Sequence, residues 1–327
     1  MQLIDNKHIH HFNPLSNDKT KDNQTLYHYT SPIGLHEMLN SGRIRFTDCE
    51  FLNDKSEFVQ ILKPFEKAVK TLSNELHPQV YKSLSLYNDT SYQENSIIAF
   101  TDEKGKIEAP GLKQRRSYIF CTSKSPDDLV MWNYYVKDRN YQGYNLSFNV
   151  NKLIECFNNI KDPYVEMFAG KVIYKETEQI ELLTSFIKQV DTTYGNELKY
   201  ATDEAKFNGI MARIKGEIIG YIMQYRLFFK SEKFSHEKEY RFIIKMPVDH
   251  LNSDYDISIQ TGFSVIRGIF VPHCDLLFNQ AKSFIKSITM SPMLEAQLAK
   301  NGLERFLIQN GYGNEIKVVE SEIPIRY

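Results

Sequence analysis

Residues 25–46 read TLYHYTSPIGLHEMLNSGRIRF, and the parsing of this stretch decides the fold. Thr25 to Thr30 has the aromatic and β-branched character of a short strand. Ser31 fits a helix N-cap, Pro32 its first turn and Gly42 its C-terminal stop, which predicts a helix over Pro32 to Ser41. Arg43-Ile44-Arg45-Phe46 alternates charged and apolar residues, as a half-buried strand does. A β-α-β unit packed into 22 residues is tighter than a dinucleotide-binding unit, which takes about 30 or more. Within the first strand His28 and Thr30 leave one face, Tyr27 and Tyr29 the other.

Outward from this unit, residues 1–23 are polar and form a lead-in arm, and residues 24–327 are read as a single α+β domain. Residues 55–87 suggest one or two helices broken near His77-Pro78. Strands are predicted over Ser117 to Thr122, Tyr144 to Val150, Val165 to Tyr174, Tyr240 to Lys245, Gly268 to Val271 and Ile316 to Val319. Helices are expected over Pro126 to Lys137, around Leu277 to Ser287 and over Pro292 to Asn301. The stretch 176–230 reads as an inserted helical pair, with Ile210, Ile214, Ile218, Ile222 and Tyr225 at helical spacing.

Bulk properties narrow the function classes. With 42% apolar and 25% charged residues the composition is globular, and a net charge of −1 removes the broad electrostatic case for a nucleic-acid-coating or membrane-surface protein. Cys49, Cys121, Cys156 and Cys274 are far apart and form no C-x-x-C pair, so neither a zinc site nor a disulfide framework is expected. No signal peptide opens the sequence and no run of 18 apolar residues occurs. The expectation is a soluble, cytoplasmic protein without a metal.

Three patches could carry chemistry. His28 and Thr30, leaving one strand face beside a helix N-terminus, can hold a ribose or phosphate oxygen; the alternative is a buried histidine satisfied by a backbone carbonyl. The strand ending Cys121-Thr122-Ser123 is followed by Asp127, Asp128, Trp132, Tyr134 and Tyr135. Rings so placed can sandwich a flat ligand such as a base or nicotinamide, or simply fill an aromatic core. In Ser235-His236-Glu237-Lys238-Glu239-Tyr240-Arg241-Phe242, Glu237, Glu239 and Arg241 share a face if the strand begins that early. They form either a solvated edge or a carboxylate aimed into a cleft and steadied by Arg241. Asn53-Asp54 with Glu57 could cap a helix or bind ligand, capping being the simpler reading; Arg115-Arg116 reads as solvated and Gly311-Tyr312-Gly313 as a turn.

The ordered motifs LYHYTSPIGLHEMLNSGRIRFTDCEFLNDKSEF, FCTSKSPDDLVMWNYYVKDRNYQGYNLSF, KVIY, HEKEYRF and the closing SEIPIRY resemble a bacterial family catalogued as domain of unknown function 2971. The likeness runs from about Leu26 to the C-terminus. YHYT, FCTS and EKE are also similar to elements of ADP-ribosyltransferases, both the His-Tyr-Glu scheme and the Arg-Ser-Glu subgroup. This sequence carries Cys121-Thr122-Ser123 where that subgroup has Ser-Thr-Ser, and His28 where it has arginine.

The second resemblance implies mixed small sheets around a cleft that takes NAD as substrate. His28 and Thr30 would bind the nicotinamide ribose, with Ser123 and Arg241 in the same cofactor site, and Trp132, Tyr134 or Tyr135 would stack on nicotinamide. Glu239 would stabilise the sugar cation and Glu237 would orient or deprotonate the acceptor. That acceptor is protein, nucleic acid or water; Lys and Arg around 104–116 could line a nucleic-acid path. A non-catalytic nucleotide-sensing or partner-binding domain is the alternative. A two-histidine phosphoesterase is the third reading: His28-Tyr29-Thr30 is an H-x-T, but the remaining histidines supply no second one.

Overall fold

A computed structural model describes residues 9–12, 24–52, 59–85, 115–136, 142–157, 160, 165–247, 258–278, 284–313 and 315–325. Asn53, Asp54, Glu57 and the basic residues of 104–114 lie outside them. Backbone contacts divide the chain into two compact units. One comprises Met1–Lys7, Asn53–Gln114 and Val172–Ser235; the other His8–Leu52, Arg115–Lys171 and His236–Tyr327.

The first unit is helical. It holds α2 (Leu62–Thr71), α3 (Pro78–Ser85), α6 (Glu176–Lys199) and α7 (Glu204–Tyr225). Asp203 caps α7 by accepting from Lys206 N. The isoleucine stripe of α7 is buried as its spacing predicts, with Ile210, Ile214, Ile218 and Ile222 each at most 2% exposed. Phe186 of α6 stacks on Tyr221 at 3.7 Å between ring centres. Buried Gln179 donates to the carbonyls of Ile173 and Lys230 at 2.6 and 3.1 Å, so a polar side chain ties together the two segments that bridge at Ile173 and Phe229.

The second unit is built on a mixed, largely antiparallel sheet. Its strands are β1 (Ile9–Phe12), β2 (Thr25–Thr30), β3 (Arg43–Asp48), β4 (Arg115–Ser123), β5 (Tyr144–Asn149), β6 (Glu166–Lys171), β7 (Glu239–Pro247), β8 (Ile259–Ile266), β9 (Ile269–Leu277), β10 (Ile285–Met290) and β11 (Lys317–Glu320). The order runs β1-β6-β7-β4-β2-β5-β10-β11, with β3, β9 and β8 branching from β4. Among the described strands of this unit only β10 and β11 pair in parallel. The helices are α1 (Pro32–Ser41), α4 (Leu129–Val136), α5 (Val150–Phe157) and α8 (Ala296–Gln309).

The opening β-α-β unit forms as its punctuation predicts. Ser31 Oγ accepts from Gly34 N at 3.0 Å, and Gly42 takes the left-handed conformation (φ 63°) that ends α1. One sheet face buries Leu26, Phe46, Phe120, Phe148 and Phe242 against Leu35 of α1, Phe157 of α5 and Leu307 of α8. The opposite face carries Tyr29 against Met131, Trp132 and Val136 of α4.

Several expectations are corrected. The expected separate small sheets are one connected ladder that forks. A helix was expected around Leu277 to Ser287; residues 279–283 lie outside the described ones, and the described ends of the stretch are the end of β9 and the start of β10, where Ile285 pairs with Phe148 and both enter the core. The helix expected at Pro292 to Asn301 runs Ala296–Gln309, because Glu295 caps it by accepting from Leu298 N. β8 and α5 were not anticipated, and residues 9–12 of the polar arm pair with β6. Arg115 and Arg116, expected to be solvated, pair with Glu166 and Glu50. Gly311 and Gly313 form the expected turn, both left-handed.

The fork positions the site. β4 pairs with β7 along its whole length, from Arg115↔Pro247 to Ser123↔Glu239. Its other edge is shared: β3 takes Tyr118 and Ile119, and β2 takes only Ser123, opposite Tyr27. Cys121 lies between the two partners.

Candidate functional site

A strand edge that changes partner leaves backbone groups to be satisfied by something else. At the fork that group is the Cys121 carbonyl, and His28 Nδ1 donates to it at 3.0 Å. A carbonyl only accepts, so Nδ1 carries the proton and Nε2 is the bare nitrogen. The ring lies 4.5 Å from that of Phe120, on the same face as Leu146. Burial pushes its pKa down to about 4, against the raising effect of the Cys121 carbonyl. His28 is thus a neutral imidazole at neutral pH. Thr30, on the same face, abuts the first turn of α1: a Cβ at Gly34 would lie 2.4 Å from Thr30 Oγ1.

The opposite face holds the carboxylates. Glu239 and Arg241 are 4% and 1% exposed, and Arg241 Nε and Nη2 donate to Glu239 Oε2 at 3.0 and 2.6 Å. Residues two apart on a strand share a face, and the register places Ser123, Cys121 and Tyr27 on that same face. The strand begins at Glu239, so Glu237 is not part of that row. It ends the 3-10 turn Glu232–Glu237 and is buried at 6%. Lys238 joins them in a left-handed conformation (φ 44°), which a non-glycine residue adopts only under local constraint. The constraint is visible: Lys238 O accepts from Lys124 N at 3.1 Å, and Glu237 O accepts from Ser123 Oγ at 2.7 Å.

α4 closes this face. Tyr135 has its phenol pKa raised well above the usual value by burial, then by the nearby charges of Glu239 and Glu237. Trp132 is 1% exposed, edge-on to Tyr29 at 4.8 Å, and donates from Nε1 to Asp127 at 2.7 Å. Tyr134 is 63% exposed and stacks on His236 at 5.3 Å. Where β2 and β4 part, Tyr27, His28, Cys121, Ser123, Tyr135 and Glu239 are among the walls of a hollow of about 10 Å³, room for about one water. The structure therefore brings His28, Ser123, Tyr135 and Glu239 to one place, although the His28 and Glu239 side chains leave opposite sheet faces. Thr30, Trp132, Tyr134, Glu237 and Arg241 are not among its walls.

Sequence reasoning placed Tyr27 and Tyr29 on a strand face and named Asp127 after β4, but gave none of the three a role in building the site. Tyr29 OH donates to Ser125 O at 2.9 Å and accepts from Asp128 N at 3.1 Å, fixing the loop before α4. Asp127 accepts from Ser321 Oγ and Glu322 N at 3.0 and 2.9 Å, as well as from Trp132. That ties the C-terminal segment to α4. Asp127→Ala is expected to cost about 1–3 kcal/mol, because it leaves a buried indole N–H unsatisfied. Urea unfolding measures the loss, and limited proteolysis should cut near Ile323 faster in the variant.

A second polar cluster joins β3, β8 and β9. Ser264 Oγ lies 3.2 Å from His273 Nδ1, and His273 Nε2 lies 3.6 Å from Asp275. The order is that of a hydrolytic triad, but Arg45 binds both Asp275 oxygens, at 2.9 and 3.0 Å, and donates to Ser264 at 2.9 Å. With its members so engaged the cluster is a clamp between strands. Among the described residues no group of three His, Cys, Asp or Glu could hold a metal ion, and no helix is long and apolar enough to cross a membrane.

The family model described as protein of unknown function (DUF2971) matches residues 131–242. This supports the family expectation over the stretch that runs from α4 into β7 and carries Trp132, Tyr135, Glu237, Glu239 and Arg241. The match is narrower than the motif likeness, which begins near Leu26. No curated protein and no solved structure matches the chain.

Proposed function

We propose that the fork is the closed form of a nucleotide site, in which Glu239 steadies the sugar cation formed as the N-glycosidic bond of NAD breaks. The C1′–N1 electron pair passes to nicotinamide, which leaves neutral, and an acceptor lone pair closes on C1′. The ADP-ribosyltransferase resemblance supplies this chemistry, and one observation carries it to the structure: residues from four separate segments, His28, Ser123, Tyr135 and Glu239, wall one hollow. A carboxylate facing a sugar cation is the arrangement used in glycoside cleavage.

The remaining roles follow. His28 offers Nε2 to a ribose hydroxyl. Of the three candidate rings, Tyr135 is favoured for nicotinamide because it is the one beside Glu239. Arg241 holds the carboxylate in a fixed orientation, which limits reorganisation as charge develops. Glu237, whose charge acts on Tyr135 beside that of Glu239, suits the acceptor's proton. The hollow is smaller than a nicotinamide ring, so entry requires Tyr135 and α4 to swing outward.

Removing such an electrostatic partner costs on the order of 3 kcal/mol, about a hundredfold in rate. Nicotinamide release from NAD, with water, protein or RNA offered as acceptor, is expected to fall about that far in Glu239→Gln. Turnover equal to the wild type would remove Glu239 from the mechanism. The closed hollow and the Arg241 pairing favour one other reading, a binding domain without turnover. That reading expects NAD to raise the melting temperature with no product formed. A cyclic phosphodiester tests the phosphoesterase, for which His28 is the one histidine among the walls.

A further inference from the structure

Two side chains of α4 tie the hollow to the C-terminal segment. Tyr135 is one wall of the hollow. Trp132, three residues earlier and so its neighbour on the helix surface, packs edge-on to Tyr29. The helix therefore cannot carry Tyr135 outward without drawing Trp132 off Tyr29. The Trp132 indole also donates to Asp127, and Asp127 is pinned from a distant segment. Its carboxylate oxygens accept from Ser321 Oγ, each at 3.0 Å, and one accepts from Glu322 N at 2.9 Å. Ser321 N donates to Met290 O at 3.2 Å, which fastens the segment to the end of β10. Beside these ties Ile323 packs against the cluster of Tyr29, Met131, Trp132 and Val136, and its N–H donates to Ser321 Oγ at 3.2 Å.

We propose that residues 321–325 are an autoinhibitory strap that holds α4 down over the hollow, so that ligand entry waits on release of the strap. For the ligand it excludes, this rests on the nucleotide reading of the hollow. While the strap is docked, Asp127 is fixed in place. Outward travel of α4 then breaks the Trp132–Asp127 bond and uncovers the apolar contact of Ile323. Once the strap detaches, Asp127 and Trp132 keep their bond as the helix turns about the loop before it. That loop stays anchored through Ser125 O, which accepts from Tyr29 OH at 2.9 Å.

The segment is suited to detachment. It follows the four-residue strand β11 and belongs to no helix or strand itself. Pro324 has no N–H to offer a ladder, and Glu322 and Pro324 are exposed. Segments held by few buried contacts open at the low end of a protein's range of local stabilities. A strap and a brace that merely builds the site predict opposite signs. Apparent affinity is reduced by the fraction of molecules that are open to ligand. Loosening a strap raises that fraction and tightens binding, whereas loosening a brace weakens it.

Cys121 reports the opening without any nucleotide. It is one of the walls of the hollow, and its thiol lies close enough to act on the Tyr135 phenol, while Cys49, Cys156 and Cys274 are buried. The test is the rate at which each cysteine of the full chain reacts with a thiol reagent larger than the hollow, read by peptide mass. Three proteins are compared: the wild type, Glu322→Pro, and Ser321→Ala with Ile323→Ser. Glu322→Pro deletes the N–H that Asp127 accepts and alters no core side chain. Cys121 is expected to react about tenfold faster in both variants, the worth of one lost hydrogen bond, with Cys156 and Cys274 as slow as in the wild type. NAD should associate faster by a similar factor. Equal Cys121 rates in the three proteins overturn the proposal. So does an acceleration shared by Cys156 and Cys274, the mark of a brace for the whole fold, and so does weaker NAD binding by the variants. Faster reaction of Cys121 alone, with NAD bound by none of the three, upholds the strap and removes the nucleotide reading.

Discussion

Arg241→Leu is expected to destabilise the sheet-bearing unit by about 3–5 kcal/mol, because it strips a buried carboxylate of its guanidinium partner. Arg241 and Glu239 have side chains 1% and 3% exposed, 2.6 Å apart at closest approach. Burying two charges is costly, and their mutual attraction in a low-dielectric interior only offsets that cost. The loss in the variant therefore measures the penalty of a stranded carboxylate more than the value of the pair. A double-mutant cycle separates these: Glu239→Gln with Arg241→Leu should recover much of the stability lost by Arg241→Leu alone. Urea unfolding of the four proteins decides it. Equal stability of Arg241→Leu and wild type would mean that the pair does not organise the end of β7.

Acidification should produce the second large effect. An unfolded histidine takes a proton near pH 6.5, while folded His28 is held out to about 4 by burial. Between those values the unfolded chain binds the extra proton, so stability falls as pH drops from about 7 to about 4 and loses nothing further from this group below that. The loss from His28 is at most about 3 kcal/mol, an upper bound because the residue as a whole is only half-buried. His273, also depressed chiefly by burial, acts in the same direction. Asp48, raised chiefly by burial, acts in the opposite one. His28→Gln keeps an N–H for the Cys121 carbonyl without titrating. Its urea midpoint should change less between pH 7 and pH 4.5 than that of the wild type, and parallel pH profiles would refute the assignment.

Punctuation made the opening unit legible. Ser31, Pro32 and Gly42 act within a few residues of themselves, so their consequences do not wait on tertiary contacts. The isoleucine stripe of α7 was legible for the same reason, since period and burial are both local properties of a helix. The stretch Ile285 to Ser287 was not, because its short apolar run fits two periods and pairing with β5 chose between them. The site was half legible. Alternation in β2 put His28 opposite Tyr27 and Tyr29, as the structure has it. Glu237, Glu239 and Arg241 were expected to share a face if β7 began as early as Glu237; it begins at Glu239, so Glu239 and Arg241 share a face and Glu237 stands outside the row.

Chain-local chemistry determined the strand-helix-strand opening, the faces of β2, the helical character of 176–225 and the candidate residues His28, Ser123, Tyr135 and Glu239. The fork was decided by tertiary structure alone, because β4 changes partner from β3 to β2 around Cys121, whose carbonyl accepts from His28. So was the Asp127 tie to Ser321. Each depends on segments far apart in sequence, whose pairing is selected by packing of the whole sheet and leaves no mark in the local pattern of residues.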